Sequence, residues 1–448
     1  MSRMFSRAIP AIFVIAVFLL VWRGGNILTT AVPKPFEALI ILTGVLVVFG
    51  IILGRLPFPT TQPFKQIYRV YGLLFGALLF FSAVGSFVSI VKFPTWRDFG
   101  LDVAADYGRL LFVFFLFFLT AYLVVLYKNV LRSALFALAL SPIVMFVAFV
   151  PSSQGFFVKE GRLIGAHADP NYLGSFVAVG IIVSIALFLY EESRLRWLGL
   201  LNLFIIAPIF LWAASRSAML ALGFALFALF AIYVVRKTSR SRFFNVLIVT
   251  GVLLTSISVG FSLFPTESQL FIYERIMTPF VPGEVFRKIV DVHTGEGRPA
   301  FEFLTRDNLN FDGQYFETIR GNLLKAGATT FVRTPLGLGP SFYRWSPVGG
   351  VGGSHNTLLE VGLTSGWGGL LVFLIFVGSV FARTRAFFRE EDWMGISLAV
   401  SLFCILVNGL LLDMFTLRWL WLIMGMIVGY SILKNNDETK GVGSSSHA

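Results

Sequence analysis

Three arginines and two histidines in this chain could together handle an anion and a proton: Arg162, Arg216, Arg320, His167 and His355. A guanidinium stays charged at physiological pH and presents its N–H donors as a planar fork, which matches phosphate oxygens. An imidazole titrates near neutrality and can accept a proton from an attacking hydroxyl. These residue types suit an anionic substrate whose transfer needs a base.

Their sequence surroundings set what each can do. In GRLIGAHADPNYLG, residues 161–174, glycines and a proline fix a turn before a helix that starts near Tyr172. Helix capping by Asp169 with Pro170 in the first turn accounts for those two residues. It leaves Arg162, His167 and Asn171 as candidate substrate contacts. Ala214-Ser-Arg-Ser217 is a very short turn between two apolar runs. A lone arginine there is either an interfacial anchor or, because the turn restrains it, a fixed anion clamp.

The third segment, residues 316–362, places Arg320 on an amphipathic helix, then a Pro335-Leu-Gly-Leu-Gly339 turn, then glycines 349, 350, 352 and 353. His355-Asn356 follow and lead into a helix bearing Glu360. His355 and Glu360 are about 140° apart on a helix. They can therefore pair directly only if His355 precedes the regular helix, and a histidine that merely caps it is the alternative.

No metal or cofactor is expected. The chain has four histidines and one cysteine, Cys404, with no HExxH, CxxC or DxD pattern. It also lacks a GxSxG elbow and a P-loop.

The elements that must position these residues are hydrophobic helices. With 56% hydrophobic residues, 13% charged residues and a mean hydropathy of +0.81, the chain cannot make a soluble surface. About twelve apolar runs approach the roughly 20 residues of a membrane span: 8–22, 36–53, 71–91, 110–127, 134–150, 172–190, 197–213, 218–235, 243–264, 366–382, 393–412 and 417–433. Lipid-exposed backbone must be helical, since open strands cannot satisfy their polar groups there. The expected fold is an all-α polytopic membrane protein.

No cleavable leader is evident after the basic start, so the N-terminus is expected in the cytoplasm. Of 36 Lys and Arg, about 18 then fall on the cytoplasmic side, about 9 in short external loops and about 9 in the long loop. The bias supports both termini inside and the long loop outside. The net charge of +12 then sits largely where anionic headgroups attract it, and nucleic acid is an unnecessary partner. The expected division is 1–264 with spans one to nine, 265–356 as the external loop, 357–434 with the last three spans, and a disordered tail from 435. Amphipathic helices are expected at 282–292 and 315–326, while 284–312 carries no readable motif.

In four ordered elements the chain resembles the superfamily of O-antigen ligases and polymerases of the bacterial envelope. These are Arg162, Gly165, Pro170 and Asn171; Ser215, Arg216 and Ser217; Arg320 followed by Pro335, Gly337 and Gly339; and His355, Asn356, Glu360 and Gly362. One departure is His167, where the family's first motif often carries a hydroxyl or small residue. The resemblance implies a GT-C-like fold in the bacterial inner membrane, a site facing the periplasm, and a donor glycan carried on undecaprenyl diphosphate. The implied acceptor is a sugar hydroxyl of lipid A-core or of another glycan, reached within membrane lipid.

On that footing Arg216 and Arg320 would stabilise the departing diphosphate and His355 would act as base. Arg162 would add to phosphate neutralisation, and Asn356 and Glu360 would orient His355 or the acceptor. Single displacement would invert the anomeric centre. Ligation is the favoured activity, with polymerisation of lipid-linked repeats the alternative. A transporter or flippase is the rival of another class, although carriers usually place ionisable groups at the bilayer midplane and no mid-span carboxylate stands out here. A structural scaffold would leave Arg216, Arg320 and His355 without a reason to gather on one face.

Overall fold

The computed structural model describes residues 2–21, 35–58, 64–92, 100–149, 158–159, 162–163, 170–236, 240–262, 313–342 and 356–444. Those residues are almost entirely helical. In chain order the helices are α1 (Ser2–Phe18), α2 (Pro35–Ile52), α3 (Phe64–Lys92), α4 (Gly100–Leu126), α5 (Lys128–Phe149), α6 (Pro170–Tyr190) and α7 (Arg196–Ala213). They continue with α8 (Arg216–Arg236), α9 (Arg240–Ser262), α10 (Gly313–Arg333), α11 (Thr357–Arg383), α12 (Arg385–Arg389), α13 (Trp393–Gly409) and α14 (Arg418–Ser444). A minimal antiparallel ladder, β1 (Val158–Lys159) with β2 (Arg162–Leu163), precedes α6.

A helix underlies each of the twelve apolar runs. Among the described residues eight helices are long and apolar enough to cross a membrane, and the apolar helices Arg7–Phe18 and Trp393–Gly409 are shorter. This is a polytopic membrane protein. The helix α10 covers the amphipathic segment expected at 315–326, whereas 282–292 lies outside the described residues. The helix α14 runs to Ser444, past residue 435 where the sequence suggests a disordered tail. Extending a formed helix fixes one residue per added hydrogen bond, far easier than nucleating one, and no proline interrupts this stretch.

The helix α6 is the centre of the bundle. It carries no charge and is apolar all round, the signature of a helix buried on every side. It packs against α7 and α13 most extensively, and also against α5 and α8. A second packing unit joins α3, α4, α11 and α14 through rings of Tyr71, Phe75, Phe114, Phe117, Phe376 and Trp421. Part of the aromatic run at 111–118 is thus core, while Leu111 and Phe115 stay exposed. Gly425 and Gly429 let α14 lie directly on α4, since a Cβ at either would come within 2.7 Å of a carbonyl oxygen of Phe117 or Ala121.

The two ends of the bundle differ. Where α9 and α13 begin, ion pairs dominate: Arg242 with Glu391, Arg132 with Glu191, and Lys434 with Glu390 and Asp392. Where α6, α8 and α11 begin, the contacts are mostly hydroxyls and amides, and where α14 begins Arg418 pairs with Glu37. Asn171, Arg216, Asn356 and Glu360 are at that second end.

Candidate active site

The turn between α7 and α8 is tight because Ala214 adopts left-handed backbone, φ 45° and ψ 42°, and donates its N–H to the Leu211 carbonyl. Ser215 then starts α8. Its hydroxyl accepts from Ala218 N–H at 3.3 Å, donates to Asn171 Oδ1 at 3.1 Å, and lies 3.3 Å from the Ser217 hydroxyl. The first contact is an N-cap in the usual position. Ser215 and Ser217 are buried, and Arg216 between them is half-buried. The serines of the Ser-Arg-Ser turn therefore hold backbone in place, and Arg216 is carried on a turn whose position is set by α6. β2, which carries Arg162, lies against both α6 and α7. The first two sequence elements thus meet in space.

The third and fourth elements meet at α11. Asn356 is the N-cap of α11, with extended backbone and its Oδ1 accepting from Leu359 N–H at 3.0 Å. The regular helix begins one residue later, at Thr357. Glu360 itself is buried at 8% exposure, and His355 lies outside the described residues. The other half of the Asn356 amide is also engaged, donating to the Leu410 carbonyl at 2.8 Å.

The helix α11 breaks at Gly366, φ 68° and ψ −171°, the residue where the apolar span was expected to start. Into that break fits the 335–339 turn. Leu338 N–H donates to Leu363 O at 2.6 Å, Gly339 N–H to Thr364 O at 3.0 Å, and Trp367 N–H to Pro335 O at 2.9 Å. The turn also meets α3, where the Ser89 hydroxyl donates to Leu338 O at 2.5 Å. Gly337 and Gly339 have φ of +79° and +82°, and a Cβ at Gly339 would stand 2.8 Å from Ser86 Cα. The Pro-x-Gly-x-Gly motif is a backbone clasp joining the segment after α10 to two helices. Arg320 is on α10, whose C-terminal half packs on α11: the Phe331 ring leaves no space for a Cβ on Gly362, 2.6 Å away, and the Phe331 carbonyl accepts from Trp367 Nε1 at 3.1 Å. Arg320 is eleven residues before Phe331, about 16 Å along a helix.

Two carboxylates at this end were not assigned a role from sequence. Asp106 accepts from the Ser341 hydroxyl and pairs with Arg109 at 2.5 Å. Asp413 lies in the turn between α13 and α14, its Oδ1 accepting from Phe415 N–H at 3.0 Å. Burial lifts the Asp413 carboxyl to about 6, the Phe415 amide opposes that shift, and the nearby Asp106 charge adds to it. Ser341 has a positive φ, 61°, rare for a non-glycine residue.

Residues 201–374 match the family model described as O-antigen ligase. Over that segment the chain is similar to the O-antigen ligases. The matched segment is somewhat under half of the chain and contains Arg216, Arg320, His355, Asn356 and Glu360. No curated protein matches the chain. Arg162, His167 and Asn171 precede the O-antigen ligase segment; Asn171 is brought to it by its bond to Ser215. His167 lies outside the described residues, and of Arg162 and Arg320 the backbone alone is described.

The structure also adds Thr357, buried at 4% exposure, whose hydroxyl bridges two backbone groups of the 410–417 turn. Nothing in its local sequence marks it, because its partners are more than fifty residues away.

Proposed function

We propose that this protein transfers a glycan from undecaprenyl diphosphate to a sugar hydroxyl at the periplasmic face of the bacterial inner membrane. The favoured acceptor is lipid A-core. The observation that carries this reading is the O-antigen ligase match, whose limits enclose Arg216, Arg320 and His355. The short, internally bonded turn under Arg216 supports its use as a fixed clamp rather than a loose anchor.

In this mechanism the acceptor oxygen attacks the anomeric carbon while the bond to the diphosphate oxygen breaks. The electron pair leaves on the diphosphate, where the guanidiniums of Arg216 and Arg320 stabilise the developing charge. The acceptor proton passes to His355. Arg162, with His167 and Asn171, lines the donor side. Asn356 and Glu360 fix the approach of His355. One displacement inverts the anomeric centre. Twelve GT-C-like spans with both termini cytoplasmic would put all these residues on the outer face.

The test uses purified protein in lipid with an undecaprenyl-diphosphate-linked glycan, with and without lipid A-core acceptor, for wild type and His355→Ala. Transfer to the core that vanishes in the variant is the expected result. Lengthening of the donor glycan alone would make the protein a polymerase, and neither product from folded, donor-binding protein would overturn the transferase reading. A product of retained configuration would remove the one-step mechanism.

A further inference from the structure

The candidate residues fall in two halves of the bundle. Arg216 and Asn171 belong to α6 and α8, which pack on α13. The external segment, with Asn356 and Glu360, belongs to α10 and α11, and α11 packs chiefly on α3. A transfer site that uses both halves needs a junction holding them in register.

The turn at residues 410–417 supplies that junction. On one side it continues directly from α13 and into α14, whose Trp419 ring packs on Phe176 of α6 at 5.7 Å. On the other side it receives two consecutive residues of α11. The Asn356 amide donates to Leu410 O at 2.8 Å. The Thr357 hydroxyl donates to Leu412 O at 2.9 Å and accepts from Met414 N–H at 2.8 Å. Gly409 makes room for it, since a Cβ there would stand 2.9 Å from Thr357 Oγ1. Alternate backbone groups along one turn are thereby read by one buried hydroxyl and one amide. Only a hydroxyl can donate and accept at that point; a methyl of the same size can do neither.

We infer that Thr357 is a positioning residue of the transfer site, fixing the start of α11, and with it Asn356 and Glu360, to the 410–417 turn. His355 is one peptide bond from Asn356, about 3.8 Å between Cα atoms, so what fixes Asn356 bounds where the imidazole can reach. Misplacement of a reacting group by about 1 Å can cost about a hundredfold in rate. The inference rests on the transferase reading for its effect on turnover, and on geometry alone for its effect on His355.

The test compares Thr357→Val, of nearly equal shape, with Thr357→Ser, which keeps the hydroxyl. Turnover is measured with the undecaprenyl-diphosphate-linked glycan and lipid A-core, beside histidine ring NMR of the full protein in lipid nanodiscs. With four histidines in the chain, the His355 signal is assigned by its loss in His355→Gln. Thr357→Val is expected to lower kcat about tenfold or more with donor KM within about threefold, and to move or broaden the His355 signal. Thr357→Ser is expected to restore both.

A Thr357→Val protein with the wild-type His355 signal overturns the inference, whatever its yield or melting temperature. If the wild type transfers no glycan, the transferase reading fails, yet a His355 signal displaced in Thr357→Val and restored in Thr357→Ser still supports the positioning. Displaced signal with unchanged kcat overturns the link to catalysis.

Discussion

The Ser215 hydroxyl donates to Asn171 Oδ1 at 3.1 Å across 44 residues of sequence, while accepting from Ala218 N–H as the cap of α8. One small side chain thus fixes where α8 starts and ties that start to α6. Ser215→Ala removes both contacts at once. The expected cost is about 1–2 kcal/mol of stability, read as a lowered melting temperature in detergent. Glycan transfer should fall more than folded yield does, because the loosened turn carries Arg216. Unchanged transfer from equally folded protein would show that the tie has no bearing on Arg216.

Arg216 itself is expected to be more sensitive to geometry than to charge. Arg216→Ala should lower turnover about a hundredfold or more, the scale for removing one charge-stabilising donor. Arg216→Lys keeps the charge but loses the planar fork and should recover only a minor part. Full activity in the lysine variant would mean that a point charge suffices and that the fork plays no part.

The clasp at 335–339 gives a comparison between glycines of similar backbone. Gly339 has φ +82° and its missing Cβ faces Ser86, whereas Gly54 has φ +64° and open space around it. Gly54→Ala should cost about 1 kcal/mol from backbone conformation alone. Gly339→Ala adds a collision with the α3 backbone and should cost about 2–4 kcal/mol, with loss of transfer as the 335–339 turn detaches from α3 and α11. Equal melting temperatures for the two variants would contradict the clasp.

These relationships mark how far the sequence could be read. The helices were legible because continuous apolar stretches in a membrane protein leave the backbone no other way to satisfy itself. The break at Gly366 coincides with the expected start of a span, since glycine and the change of polarity mark the same point. The Ser-Arg-Ser turn was legible as a turn, but its dependence on Asn171 was not, because a hydrogen bond between distant residues leaves no local pattern. Thr357 was missed for the same reason. Gly362 stands in a motif, yet the reason for it is the Phe331 ring of another helix. Local periodicity and turn chemistry were readable; pairings across the bundle needed coordinates.

Asp413 makes the acid side of stability testable. Burial, together with the Asp106 charge, raises its carboxyl from an ordinary 3.8 to about 6 in the folded protein. A folded-state value above the unfolded one means that the folded protein holds the proton more tightly. Its contribution to stability is therefore fully present below about pH 4 and is lost as pH rises through about 6. At neutral pH the ionised group weighs against the fold. Asp413→Asn removes the charge and keeps an oxygen for the Phe415 amide. The side chain is half-buried, so solvent moderates the effect, and the expected gain at pH 7.5 is about 1–2 kcal/mol. That gain should shrink through pH 6 to 4 and vanish below, measured as the difference in melting temperature between variant and wild type. A gain independent of pH would assign the effect to packing, and a loss at neutral pH would show that the carboxylate is needed ionised where it stands.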